Sequence, residues 1–278
     1  MIKIKAPAKI NLTLEVLGKR ADGFHEIRSV LQTIDLYDTL HIEKGRGFTF
    51  QCALSDWSAE KSLVSKVLSL LPAGFKGGAA VKIEKKIPLM SGLGGDSSDA
   101  VALLKGLNEL YELNISDEKM REMAKKLGSD AAFFLRGGTA LAEGRGEILK
   151  PLPPPKKLWM VLVFPDITVE LGKTAKMYAA LKPSSYSNGA RTTQLITALK
   201  TGKAIERGLL YNTFEDIALE MYPGLSYYIG GCIRSGIPIH LAGAGPTLFA
   251  IFPDAAGVKD FYNICREHDA AAYIATTI

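Results

Sequence analysis

Residues 87–111, IPLMSGLGGDSSDAVALLKGLNELY, decide the fold. An alternating apolar run precedes them, Gly92, Gly94 and Gly95 turn the chain, and Ala100, Leu103, Leu104, Leu107, Leu110 and Tyr111 follow at helical spacing. Strand, glycine turn and helix in that order bring backbone N–H groups close to one point, and the helix turns its positive end toward the same point. The product is an anion cradle, to which Ser97 and Ser98 add hydroxyl donors. It has neither the Gly-Lys-Ser/Thr ending of a Walker A loop nor the G-x-G-x-x-G of a dinucleotide fold. A glycine turn capped by serines is the plain alternative. Asp96 fits either reading, because a carboxylate repels a phosphate yet stabilises the first turn of a helix. Its side chain either points away or helps to hold Mg2+.

Upstream, residues 2–17 alternate, with Ile10, Leu12, Leu14 and Val16 on one face and Lys9, Asn11, Thr13 and Glu15 on the other, which predicts a strand. A turn through GKRADGF leads to a strand over 30–36. A helix over 62–71 stops at Pro72 and Gly74, and a strand follows over 79–87. Downstream come a helix over 117–127 closed by Gly128 in the C-terminal glycine position, a short helix capped by Ser129 or Asp130, and a strand over 139–143. The proline-rich segment 151–155 is the sharpest break in composition, so it sets the expected boundary between an N-terminal lobe, 1–150, and a C-terminal lobe, 151–278. Beyond it lie a strand over 158–164, a helix over 174–181, a loop over 182–190, helices near 192–200 and 213–221, and strand, glycine turn and strand in IPIHLAGAGPTLFAIF. With no regular βαβ alternation and no repeat, the class is α+β.

The 278 residues leave room for two lobes and a cleft. Lys plus Arg total 34 against 29 Asp plus Glu, a net charge of +5 with no long basic run, which argues against a nucleic-acid partner and suits an anionic small molecule. Cys52, Cys232 and Cys265 show no CxxC spacing and no nearby histidine, so neither a disulfide framework nor a zinc site is expected, and the compartment is a reducing one. No apolar run is long enough to span a bilayer. The expected location is the cytoplasm, with no membrane partner.

Lys9 and Asn11 share one face of the first strand, and a buried lysine there needs an anionic partner, which Asp130 can supply. On the functional reading Asp130 accepts a proton from a substrate hydroxyl while Lys9 stabilises its ionised state. A solvated strand face for Lys9 and a simple N-cap for Asp130 are the alternatives. His25, just after an Asp-Gly pair, can hydrogen-bond a polar substrate, and Gly243 and Gly245 can bring a second backbone turn to the cleft or form a tight hairpin.

Four segments, PAKINLTLEVLGKRADGFHE, PLMSGLGGDSSDA, LGSDAAFFLRGGTALAEGRGE and LAGAGPTLFAIF, in that order, resemble the GHMP kinase superfamily over nearly the whole chain. RADGFHE and GSD…GGTALAEGRGE resemble in particular the branch that acts on a cytidine-diphosphate-linked methylerythritol. Homoserine, mevalonate and galactose kinases share the glycine loop without those two segments. The resemblance implies a two-lobed α+β fold with a central cleft, ATP as donor with Mg2+ carried by the nucleotide, and transfer to the 2-hydroxyl of that acceptor in non-mevalonate isoprenoid biosynthesis. It implies that Lys9 and Asp130 are the catalytic pair. It also implies that Pro88, Leu89, Met90, Ser91, Gly92, Leu93, Gly94, Gly95, Asp96, Ser97 and Ser98 form the ATP-phosphate loop. Lys85 resembles a residue beside the adenosine, while Asp99 and Ser62 stand where asparagines commonly contact the adenine side. Phe24 and Tyr178 fall where rings flank the cytosine, His25 where a histidine reads its edge, and Asn11 and Thr174 at polar positions near the reacting end. The sequence departs from the family pattern at Asp96, in place of a glycine, and at Lys173, in place of a small residue. The rival readings are another superfamily kinase, acting on homoserine, mevalonate or a sugar, and a non-catalytic nucleotide- or RNA-binding protein on the same fold.

Overall fold

The computed structural model describes residues 1–233, 236–268 and 270–278, with the side chains of 231–233, Cys232 among them, outside the described residues. The elements in chain order are β1 (Ile2–Lys19), β2 (His25–Gly45), β3 (Thr49–Cys52), α1 (Leu63–Leu68), β4 (Gly78–Glu84), α2 (Gly95–Leu110), α3 (Asp117–Leu127), α4 (Ala131–Phe134), β5 (Thr139–Gly144) and β6 (Ile148–Pro151). They continue with β7 (Trp159–Phe164), α5 (Lys173–Ala180), α6 (Ala190–Lys200), β8 (Tyr211–Asn212), α7 (Glu215–Met221), α8 (Leu225–Ile233), β9 (His240–Leu241), β10 (Leu248–Phe252), α9 (Ala255–Glu267) and β11 (Ala271–Thr276). Two compact units result. The first holds Met1–Ala8, Leu36–Leu89 and Gly94–Gly137, and the second holds Lys9–Asp35, Met90–Leu93 and Gly138–Ile278.

In the first unit β4 pairs antiparallel with the distal half of β2, from Thr39 opposite Glu84 to Gly45 opposite Gly78, and β3 runs parallel to β4. Helix α2 buries Ala100, Val101, Leu103, Leu104 and Leu107. At Gly106 an added Cβ would lie 2.3 Å from Ile42 Cδ1, so any larger residue there would have to displace that side-chain tip. Helix α1 is shorter than the expected 62–71: it ends at Leu68, where Ser69 caps it and its hydroxyl bonds Lys66 O, before Pro72. Helix α3 has the expected bounds, with Ser116 accepting from Lys119 N at its start. Gly128 closes it in an extended conformation, φ 162°, so no left-handed backbone demands a glycine there.

In the second unit the β1–β2 turn is fixed by Asp22, whose carboxylate accepts from Phe24 N at 3.1 Å, and by Gly23 at φ 86°. β5 pairs antiparallel with the proximal half of β2, β6 with β5, and β8 runs parallel to β1. A second sheet, ordered β11-β7-β10-β9, is antiparallel throughout. Its inner side joins Leu14 and Val16 of β1, Phe214, and Phe261 of α9 in one apolar core. Helices are interspersed with mostly antiparallel strands, the α+β class the sequence implies. β2 runs 21 residues where alternation predicts a strand only over 30–36. Its buried polar residues Ser29, Gln32, Thr33 and Asp38 interrupt the apolar pattern, and each is hydrogen-bonded.

Candidate active site

The polar face of β1 is buried in the second unit, so Lys9 and Asn11 do not lie on a solvated strand face. Lys9 Nζ donates to Asn11 Oδ1 at 2.8 Å, Asn11 Nδ2 donates to Ser29 Oγ at 2.8 Å, and Ser29 Oγ donates to Thr13 O at 2.6 Å. Further along, Glu15 Oε2 accepts from Thr192 N at 2.7 Å. The series leaves the Lys9 ammonium little rotational freedom, as a preorganised cation requires.

Two backbone turns approach that ammonium. Lys9 N donates to Leu93 O at 2.9 Å, which fixes the Met90–Leu93 turn against β1. The turn over 242–246 is held by Asn212 Nδ2, which donates to Leu241 O and Gly243 O at 2.8 Å each, and by Tyr222 hydroxyl, which donates to Ala244 O at 3.1 Å. An added Cβ at Gly243, φ 57°, would stand 2.9 Å from Gly92 O and 3.1 Å from Lys9 Nζ. At Gly92, φ 87°, it would stand 2.1 Å from Ala242 O. Lys173, at the start of α5, donates to both Met90 O and Gly245 O and ties the two turns together. Burial, with the charge of Lys9 beside it, pushes its amine down from 10.5 to about 7.

In the first unit the remainder of the loop runs into α2, with Gly94 at φ 75° as N-cap. Asp96 turns its carboxylate to the start of α1, accepting from Leu63 N at 3.0 Å and from the Ser62 hydroxyl. Of its two expected directions, it points to a neighbouring helix start. Lys85 is buried between two carboxylates, donating to Asp38 and, at 2.7 Å, to Asp99. Asp38 Oδ1 also accepts from Lys86 N at 2.6 Å and Ile87 N at 2.8 Å, which shapes the chain entering the loop. Lys85, expected beside the adenosine, and Asp99, expected on the adenine side, are thus buried in contact with each other. Burial holds the Asp99 carboxyl well above the usual carboxylate range despite Lys85, with Asp38 adding to the rise. Asp130 is half-buried at the start of α4 and makes no side-chain capping bond to that helix, so it is not the simple N-cap of the alternative reading.

Residues 62–138 match the family model "GHMP kinases N terminal domain" and residues 195–271 the model "GHMP kinases C terminal". The 4-diphosphocytidyl-2-C-methyl-D-erythritol kinase of Dehalococcoides mccartyi is 41% identical over 280 residues, covering 99% of this chain and 98% of its own. This chain belongs to the GHMP kinases. The enzyme of the same name from Shouchella clausii is 38% identical over 285 residues, 99% of this chain and 95% of its own. A crystal structure of 4-(cytidine 5'-diphospho)-2C-methyl-D-erythritol kinase superposes with a TM-score of 0.84 at 30% identity, covering 99% of each chain. L. major mevalonate kinase superposes with a TM-score of 0.76 at 20% identity, a likeness of fold alone.

In this GHMP kinase the second unit also gathers an aromatic group. His25 stacks on Tyr178 with centroids 5.0 Å apart and planes at 26°, and Tyr178 meets Phe214 edge-on at 4.9 Å. Burial, with Lys19 nearby, lowers the His25 pKa, so its ring is neutral near neutrality. Phe24 is exposed, with the Arg145 guanidinium 4.4 Å above its ring. Thr174 is exposed at the start of α5. Sequence reasoning missed Ser29, Asn212 and Tyr222, which hold the groups it did find. It also treated Lys173 only as a departure. Among the described residues no group of three His, Cys, Asp or Glu side chains is placed to hold a metal, and no helix is long and apolar enough to cross a membrane.

Proposed function

We propose that this kinase transfers the γ-phosphoryl of ATP to the 2-hydroxyl of 4-diphosphocytidyl-2-C-methyl-D-erythritol, in non-mevalonate isoprenoid biosynthesis in the cytoplasm. The observation that carries the reading is the buried Lys9 ammonium, fixed by Asn11 beside two glycine turns in a chain related end to end to enzymes of that name. Residues 1–150 supply the ATP-phosphate loop, and 151–278 complete the acceptor side.

The loop from Pro88 to Ser98 takes the phosphates on its backbone N–H groups and the start of α2. The Asp96 carboxylate, engaged at α1, leaves those amides to the nucleotide. The buried Ser98 hydroxyl, which has no hydrogen-bond partner among the described residues, would suit a hard cation such as Mg2+ carried by ATP, which would neutralise phosphate charge there. Asp130 accepts the proton of the acceptor hydroxyl as its oxygen bonds to the γ-phosphorus. The bond to the bridging oxygen breaks and ADP leaves. Lys9 stabilises both the carboxylate and the developing alkoxide. On the acceptor side His25, neutral and stacked on Tyr178, reads the edge of the cytosine, while rings supply roughly 1–3 kcal/mol per stacking contact.

An ATP-consumption assay with 4-diphosphocytidyl-methylerythritol, followed by phosphorus NMR of the product, reports donor, acceptor and position together. Preference for homoserine, mevalonate or a sugar would overturn the acceptor. Replacing Asp130 with Asn lowers kcat by about a hundredfold or more with little change in ATP binding. Turnover within about tenfold of the parent, a barrier change of only ~1.4 kcal/mol, would show that Asp130 is not the base.

A further inference from the structure

Helix α4 has four residues, so it forms barely one turn and its last carbonyls need partners from outside the helix. The Phe133 carbonyl is met by Arg136 N at 3.2 Å and Gly137 N at 2.8 Å. The next two are met by a side chain. Lys105 Nζ, on α2, donates to Phe134 O at 3.2 Å and to Leu135 O at 2.7 Å. Among the described residues no carboxylate forms an ion pair with Lys105, and burial alone pulls its pKa below the usual lysine value. A half-buried ammonium without an acid partner is committed to those two carbonyls, and a cation at a helix C-terminus is favourably placed.

Asp130 opens the same one-turn helix, bonded to it through Asp130 O, which accepts from Phe133 N at 3.2 Å. The other end of the connection is α2, which begins at Gly95 on the phosphate loop. We propose that Lys105 is a positioning residue that locks the helix carrying Asp130 to the helix that begins at the phosphate loop, holding the Asp130 carboxylate at its working place. The inference rests on Asp130 being the proton acceptor. Phe133 and Phe134, buried with their rings 5.4 Å apart, anchor α4 by packing. Lys105 adds a polar tie at its C-terminal end.

The test compares K105M, K105R, D130N and the K105M/D130N double variant by steady-state kinetics with ATP and the cytidine-linked acceptor. K105M should lower kcat by about tenfold or more while the KM for ATP stays within about twofold, the pattern of a misplaced base with an intact nucleotide site. K105R, which can donate to both carbonyls, should recover most of the loss. The double variant should be no slower than D130N, because once the carboxylate is gone its placement no longer matters. Should K105M fail to fold, K105Q takes its place with the same expectation. An inactive D130N beside a K105M that keeps kcat within about threefold would overturn the inference and leave Asp130 as the base. Losses in the double variant that multiply would also overturn it. An active D130N would remove the Asp130 reading itself, and the inference with it.

Discussion

Substituting Lys173 by Met removes a buried amine whose pKa is pushed from 10.5 to about 7 by burial and by Lys9. Below about pH 7 the folded and unfolded chains both carry the proton at this site, so its contribution is flat and at its least favourable. Between about pH 7 and the ordinary lysine value the unfolded chain binds a proton that the folded chain has released, and stability rises with pH. The fall of 10.5 − 7 = 3.5 units sets a ceiling of about 5 kcal/mol over the full window. The carbonyls of Met90 and Gly245 favour the ammonium and work against the shift, so the realised gain lies below that ceiling. Over the accessible part, about pH 7 to about pH 9, the expected gain is roughly 2 kcal/mol. Urea unfolding of the parent and K173M at those two pH values, followed by circular dichroism, measures it. Groups common to both chains cancel in the difference: Lys105, also lowered, and Tyr222 and Tyr273, which burial raises and which act at higher pH with the opposite sign. A K173M chain that gains as much as the parent would refute the assignment.

Two other substitutions probe the loop and the turn beside it. D96A deletes the acceptor for Leu63 N and the Ser62 hydroxyl and should lower stability by about 0.5–1 kcal/mol, a cap's worth, seen as a small fall in Tm. Because the carboxylate is engaged at α1, kcat should stay within about twofold; a large loss of kcat with an unchanged Tm would place Asp96 at the phosphates instead. G243A imposes a left-handed backbone on alanine and sets a methyl against Gly92 O and the Lys9 ammonium. It should cost about 1 kcal/mol in stability and about tenfold or more in kcat, and a variant with parental kcat would show that the 242–246 turn does not set the place of Lys9.

The glycine turn and the helix after it are legible because their information is local. Three glycines followed by a helical stripe state both the turn and the helix that aims at it, and no distant residue is needed to complete the reading. The buried face of β1 shows the limit of that approach. Alternation tells which of Lys9, Asn11, Thr13 and Glu15 share a side, but not that Thr192 of α6 and the turn over 242–246 cover it, because those partners lie far along the chain. Lys85 and Lys173 sharpen the point. Both are lysines flanking the loop in sequence or in space, and both are buried. Lys85 is ionised between Asp38 and Asp99, whereas Lys173, among the described residues, meets only carbonyls and another cation. Asp38 was invisible as a partner since the expected strand stopped at residue 36, short of it, and a strand interrupted by buried polar groups does not advertise its length. The two charges differ in role because of what sequence-distant segments present to them. For a buried ionisable residue, then, chemistry is assigned by the partner's position and sign, and it is the long strand β2 and the turn after β9 that supply both here.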